Sequence, residues 1–137
     1  MLFRSGQDLF EYVDSEGVVT PIDSSDVNRY LKDATGEDFT AKDFRTWGGS
    51  VRMLRCLLDL GPCSSETAKK KFLRDAVRST AASLGNTQAV CRKYYIHPSI
   101  IESHSDGRLF DLRERRVRVK SAGLRADEVL FLKLLKA

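Results

Sequence analysis

One segment, residues 40–62, constrains the fold more than any other. Thr40-Ala41-Lys42-Asp43 has the form of a capping box, in which the Thr40 side chain accepts from the backbone and the Asp43 carboxylate reaches back. Beyond it Phe44, Trp47, Val51, Leu54 and Leu58 recur on one face of a helix, and Gly61-Pro62 stops the run. The pattern predicts an amphipathic helix of about four turns, whose apolar stripe must be covered by other elements. Gly48-Gly49 weakens such a helix by about 1 kcal/mol per glycine relative to alanine, so close backbone packing or a bend is expected there.

The flanking segments carry shorter signals of the same kind. Residues 8–13 alternate imperfectly and predict a short strand or extended lead, followed by a turn at 14–17 and a second apolar stretch at 18–22 broken by Pro21. Ser24 or Ser25 is expected to cap a helix carrying Val27, Tyr30 and Leu31, closed at Gly36. Ser64 or Ser65 opens another, with Phe72, Leu73, Ala76, Val77 and Ala81 as its buried stripe, ending at Leu84-Gly85. A helical stretch from Asn86-Thr87 through Tyr95 is stopped by His97-Pro98, and a short helix from Ser99 to about His104 ends at Asp106-Gly107. Residues 113–120 form a dense basic run compatible with a strand, a helix start or an arm, and residues 124–136 read as a last amphipathic helix. The expected fold class is therefore mainly α with a short β lead.

With 42% hydrophobic residues in 137, the chain can bury a core, so wholesale disorder is excluded. No apolar run approaches the roughly 18–20 residues that span a membrane. Three cysteines without C-x-x-C spacing and two histidines argue against a disulfide framework or a metal cluster, and a reducing cytoplasm is the expected setting. Charge is uneven: residues 1–40 carry a net −6 and residues 41–120 a net +9, which points to an anionic partner for the middle of the chain or to a solvated basic face.

Most enzyme templates fail. There is no phosphate-binding loop of the G-x-x-x-x-G-K-[ST] form, no G-x-G-x-x-G, no H-E-x-x-H and no G-x-S-x-G. What remains is a set of phosphate-friendly groups: Arg45 near a helix start, Asn86-Thr87 at another, and Tyr94-Tyr95 flanked by Arg92 and Lys93. A helix start favours anions, an arginine fork binds two phosphate oxygens, and a tyrosine can act as a covalent nucleophile. Each residue also has an ordinary role, Arg45 on a solvated face, Asn86 as a cap, and either tyrosine as half-buried core. Tyr94 and Tyr95 point about 100° apart on a helix, and periodicity does not say which faces a ligand.

Two blocks of sequence narrow the choice. Residues 36–47, GEDFTAKDFRTW, closely resemble the K-D-[FL]-R-T block of type IB DNA topoisomerases of the bacterial, poxvirus-like branch. Residues 84–98, LGNTQAVCRKYYIHP, resemble that family's nucleophile block, and the wider span 9–112 is similar to its catalytic domain. The resemblance implies that residues 1–112 are part of that domain, an incomplete helical catalytic domain of the topoisomerase IB and tyrosine recombinase kind, with 113–137 its basic segment and C-terminal helix. It implies that Tyr95 is the nucleophile, that Arg45 contacts the scissile phosphate, and that Asn86 donates to a phosphate oxygen. Lys42, Lys69, Lys70, Arg92 and Lys93 are the expected contacts to duplex DNA, the implied partner of a monomer. The implied reaction is ATP-independent breakage and rejoining of one strand through a 3′-phosphotyrosyl link, relaxing supercoils with no cofactor and no obligatory metal, in a bacterial cytoplasm at the nucleoid.

There are departures. Tyr94 is bulky where the family often has a small residue. The family's earlier arginine and its hairpin lysine, the general acid towards the leaving 5′-oxygen, correspond to sequence upstream of residue 9, as does the DNA-clamping domain. The expectation is a C-terminal fragment that does not relax DNA efficiently alone. The competing readings are a non-catalytic DNA-binding remnant, a tyrosine recombinase fragment, although no H-x-x-R motif is present, and a plain helical scaffold.

Overall fold

A computed structural model describes residues 10–114 and 122–137. The described elements are β1 (Glu11–Val13), β2 (Val19–Pro21), α1 (Ser24–Thr35), α2 (Ala41–Leu60), α3 (Glu66–Leu84), α4 (Gln88–Tyr94), α5 (Pro98–Ser105), α6 (Arg108–Glu114) and α7 (Ala126–Lys136). The mainly α class with a short β lead is what the hydrophobic periods predict. The chain divides into two compact units, one ending at Phe44 and the other beginning at Arg45.

In the first unit, β1 and β2 pair antiparallel with Tyr12 opposite Thr20. The Asp14 carboxylate accepts the N–H groups of Glu16 and Val18 at 2.9 Å, and Gly17 supplies the positive φ that closes the turn. The cap of α1 is Asp23 rather than Ser24 or Ser25. Asp23 accepts from Asp26 N–H, and the Asp26 carboxylate accepts from Asp23 N–H at 3.1 Å. A carboxylate does this better than a hydroxyl because it also meets the positive end of the helix dipole. The predicted Val27 and Tyr30 stripe of α1 is exposed, and the helix buries no residue. The Thr40–Asp43 capping box forms as predicted, with Thr40 N–H donating to Asp43 at 2.8 Å. Hydrogen bonds from Thr40 hold the Asp43 carboxyl below the usual carboxylate range. Phe44, expected inside, is exposed and meets Phe39 edge-on at 6.3 Å.

The core of the second unit centres on α2, whose Met53, Leu54 and Leu57 are completely buried together with Cys91, Ile100 and Leu109. Ser65 caps α3 by accepting from Ala68 N–H, and Ala76, Val77 and Ala81 form its inner stripe, with Phe72 and Leu73 only half-buried. The α3–α4 corner is closed by Gly85 in the left-handed region. Helix α6 is an addition to the sequence reading, with Leu109 and Leu112 buried against α5 and α7. The basic run expected over 113–120 enters α6 at its first two residues, and 115–120 lie outside the described residues. Helix α7 starts at Ala126 and buries Leu130, Phe131 and Leu134, while Leu135 stays exposed.

Candidate active site

Helix α2 supplies the first component. Arg45 donates from Nη2 to the carbonyl of Leu84 at 2.8 Å. Leu84 is the last residue of α3, where helix carbonyls lack intrahelical partners and the dipole is negative. That bond orients the guanidinium, whose carbon stands 5.0 Å from the centroid of the Tyr95 ring. A planar cation over an aromatic face is an attractive pairing. The Arg45 charge is also felt at buried Cys91, where it opposes the upward push of burial on the thiol.

Asn86 sits where α3 turns into α4. Its N–H bonds back to the Ala81 carbonyl at 3.0 Å, completing the C-terminal turn of α3. The cap of α4 is Thr87, which accepts from Val90 N–H at 3.3 Å, so the carboxamide of Asn86 is not consumed as a cap. Its Nδ2 is buried with no hydrogen-bond partner among the described residues.

Tyr95 is the C-cap of α4, one residue beyond the helix that was predicted to run through it. It is half-buried and faces Arg45, whereas Tyr94 is 45% exposed with the Lys93 ammonium 5.2 Å from its ring centre. The structure thus separates two tyrosines that periodicity leaves equivalent. The backbone leaving Tyr94 lies on α2: Thr46 Oγ1 donates to the Tyr94 carbonyl at 3.2 Å and Ser50 Oγ to the Tyr95 carbonyl at 3.4 Å. The sequence reading singled out neither hydroxyl. Thr46 lies inside the block resembling the topoisomerases, and Ser50 has no signal of its own.

The basic residues fall into three groups. Lys70, Arg92 and Lys93 are exposed, and Lys70 and Arg92 border a groove of about 660 Å³ together with Arg74 and Gln88. Lys69 is partly buried and committed, its ammonium 3.0 Å from both Glu66 and the Ser105 carbonyl, so it ties α3 to the end of α5. Lys42 is exposed in the first turn of α2 and belongs to the first unit. Among the described residues no cluster of three or more His, Cys, Asp or Glu is placed to hold a metal, and no helix is long and apolar enough to cross a membrane.

The second unit is thus a helical domain in which Arg45 joins the end of α3 to the Tyr95 ring, with Asn86 two residues beyond the carbonyl that holds it. The family model for the catalytic core of eukaryotic DNA topoisomerase I matches residues 3–121, and the chain belongs to that family, the type IB DNA topoisomerases. It is 30% identical to a DNA topoisomerase 1B of Acanthamoeba polyphaga mimivirus over an alignment covering 80% of this chain. The chain spans 35% of the length of that relative.

Proposed function

We propose that this chain carries the nucleophile half of a type IB topoisomerase site and acts on duplex DNA. Tyr95 is the attacking residue, and Arg45 and Asn86 are donors to the scissile phosphate. The Tyr95 phenol oxygen attacks phosphorus, a P–Oη bond forms and the P–O5′ bond breaks. The phenol proton passes to solvent, and the departing 5′-oxygen takes up a proton. Religation runs the same steps backwards, so the energy of the broken diester stays in the phosphotyrosyl link and no nucleotide is consumed.

Negative charge grows on the non-bridging oxygens as the nucleophile arrives. A fixed donor aimed at such an oxygen is worth about 3–4 kcal/mol. Arg45 offers a planar fork, already oriented by Leu84. Asn86 offers a buried amide with no other acceptor among the described residues. The observation that carries the reading is the guanidinium of Arg45 lying 5.0 Å over the ring of Tyr95, the one of the two adjacent tyrosines that faces it. Exposed Lys70, Arg92 and Lys93 would grip the duplex backbone without reading sequence.

A nicked duplex whose scissile 5′-oxygen is replaced by sulfur tests this on the chain as it stands. A thiol leaving group has a pKa of about 8.5, against about 10 for the attacking phenol, so departure needs no general acid. The expected result is a covalent protein–DNA adduct, absent in Tyr95→Phe and slowed about 100-fold or more in Arg45→Ala. Salt-dependent binding with no adduct, also when the remainder of the relative is supplied as a separate polypeptide, would mark the chain as a DNA-binding remnant.

A further inference from the structure

We infer that Ser50 and Gly49 are positioning residues for the tyrosine attack: they seat the backbone of residues 95–97 on α2 and so hold the Tyr95 phenol in fixed register with Arg45. This deepens the functional reading above and rests on it.

The connector between α4 and α5 is Tyr95, Ile96 and His97; the Tyr95 N–H returns to the Cys91 carbonyl at 2.9 Å and the His97 carbonyl accepts from Ile100 at 3.1 Å, while the Tyr95 carbonyl and the His97 N–H turn to α2. A helix end leaves carbonyls without intrahelical acceptor duty, and buried ones need partners. The Ser50 hydroxyl meets this need from both sides, donating to the Tyr95 carbonyl at 3.4 Å and accepting the His97 N–H at 3.0 Å. A hydroxyl has one proton to give and lone pairs to receive with, so both bonds form together. Ser50 is completely buried, which leaves solvent no way to take over either bond.

Gly49 makes the approach possible. A Cβ there would stand 2.6 Å from the Tyr95 carbonyl oxygen and 3.3 Å from the Tyr95 Cβ. The obstructing atom is backbone, and it cannot retreat while Ser50 holds it. Neighbouring Gly48 meets nothing within 4 Å, so the close packing expected for the glycine pair falls on one of them. Positions 46, 49 and 50 share a helix face, and Arg45 lies one turn before Gly49. The helix that carries Arg45 therefore also holds the peptide from which the phenol hangs, so the 5.0 Å separation between a side chain of α2 and the cap of α4 is fixed by the seating of that peptide on α2.

The test uses the 137-residue chain and the 5′-sulfur substrate in single turnover at saturating DNA. Ser50→Ala and Gly49→Ala are expected to slow adduct formation about 100-fold, the effect of an ångström-scale misplacement, with DNA affinity unchanged. Leu112→Ala, a core truncation on α6, is expected to lower the melting temperature and leave the rate per folded molecule intact. An active wild type matched by an equally fast Ser50→Ala overturns the positioning role and leaves the catalytic reading standing. If wild type forms no adduct, also with the remainder of the relative supplied as a separate polypeptide, the catalytic reading falls, and the positioning role is decided by NMR. The ring-current shift that Tyr95 imposes on the Arg45 side chain is expected to collapse in Ser50→Ala to its Tyr95→Ala value. An unchanged shift overturns the inference.

Discussion

As the proposed phosphate donor, Asn86 would trade stability for chemistry. A buried donor with no acceptor costs about 1–3 kcal/mol, and its Nδ2 is such a donor. Asn86→Leu removes the orphan while keeping the branching and the number of heavy atoms. Its melting temperature is expected to rise by several degrees while the rate of adduct formation falls about 100-fold, readable by a thermal melt and a gel from the same preparation. A lower melting temperature would show that the carboxamide has a structural acceptor. Sequence named Arg45, Asn86 and the tyrosine pair as phosphate-friendly, because residue type and helix-start position are local properties. It did not distinguish cap from donor at Asn86, since that depended on Thr87 taking the capping bond. It did not expose Ser50, because a serine inside a helix looks the same in a pattern whether it faces solvent or bridges two peptide groups.

At the scale of elements, α2 is joined to α7 through the indole of Trp47, which donates to Glu128 at 2.9 Å across 81 residues of sequence. Glu128 also accepts the Arg125 N–H at 2.9 Å, closing the start of α7. These two bonds, the indole's first, hold the Glu128 carboxyl below its ordinary range. A carboxylate with a depressed folded pKa contributes stability that is fully present above its unfolded pKa of about 4.3 and is lost as pH falls through the folded value. Glu128→Gln is therefore expected to melt lower than wild type near neutral pH, with the gap closing as pH drops below about 4, followed by circular dichroism. A gap independent of pH would mean that packing, not charge, carries the contact. Legibility at this scale tracked length and punctuation. Helix α2 was plain from its cap, its period and Gly61-Pro62, and α3 from Ser65 and Gly85. Helix α6 was missed because seven residues carry only the pair Leu109 and Leu112 as a periodic signal. The burial of Phe44 was mispredicted because period assigns a face without saying how far along the helix that face stays covered. The Trp47–Glu128 contact joins residues too distant for any local rule.

For the whole molecule, charge follows the order of the chain, with −6 over residues 1–40 and +9 over 41–120. Duplex binding is expected to weaken steeply with salt, because each neutralised phosphate releases condensed counterions. Lys70→Gln and Arg92→Gln should each lower the slope of log affinity against log salt by about one, measured by anisotropy on a short duplex. Lys69→Gln should lower the melting temperature instead, since its ammonium is held by Glu66 and the Ser105 carbonyl. Slopes for the Lys70 and Arg92 variants equal to wild type would remove the groove these two residues border from the DNA-facing surface. A further consequence follows from Arg45 and Ser50 lying within two turns of one helix. In the reaction proposed above, a nicked duplex swivelling about its intact strand would pass torque to the protein through the phosphotyrosyl bond. Because the Tyr95 peptide is seated on α2, such a load would displace guanidinium and phenol in common mode, and the broken end would stay poised for resealing as the strand turns.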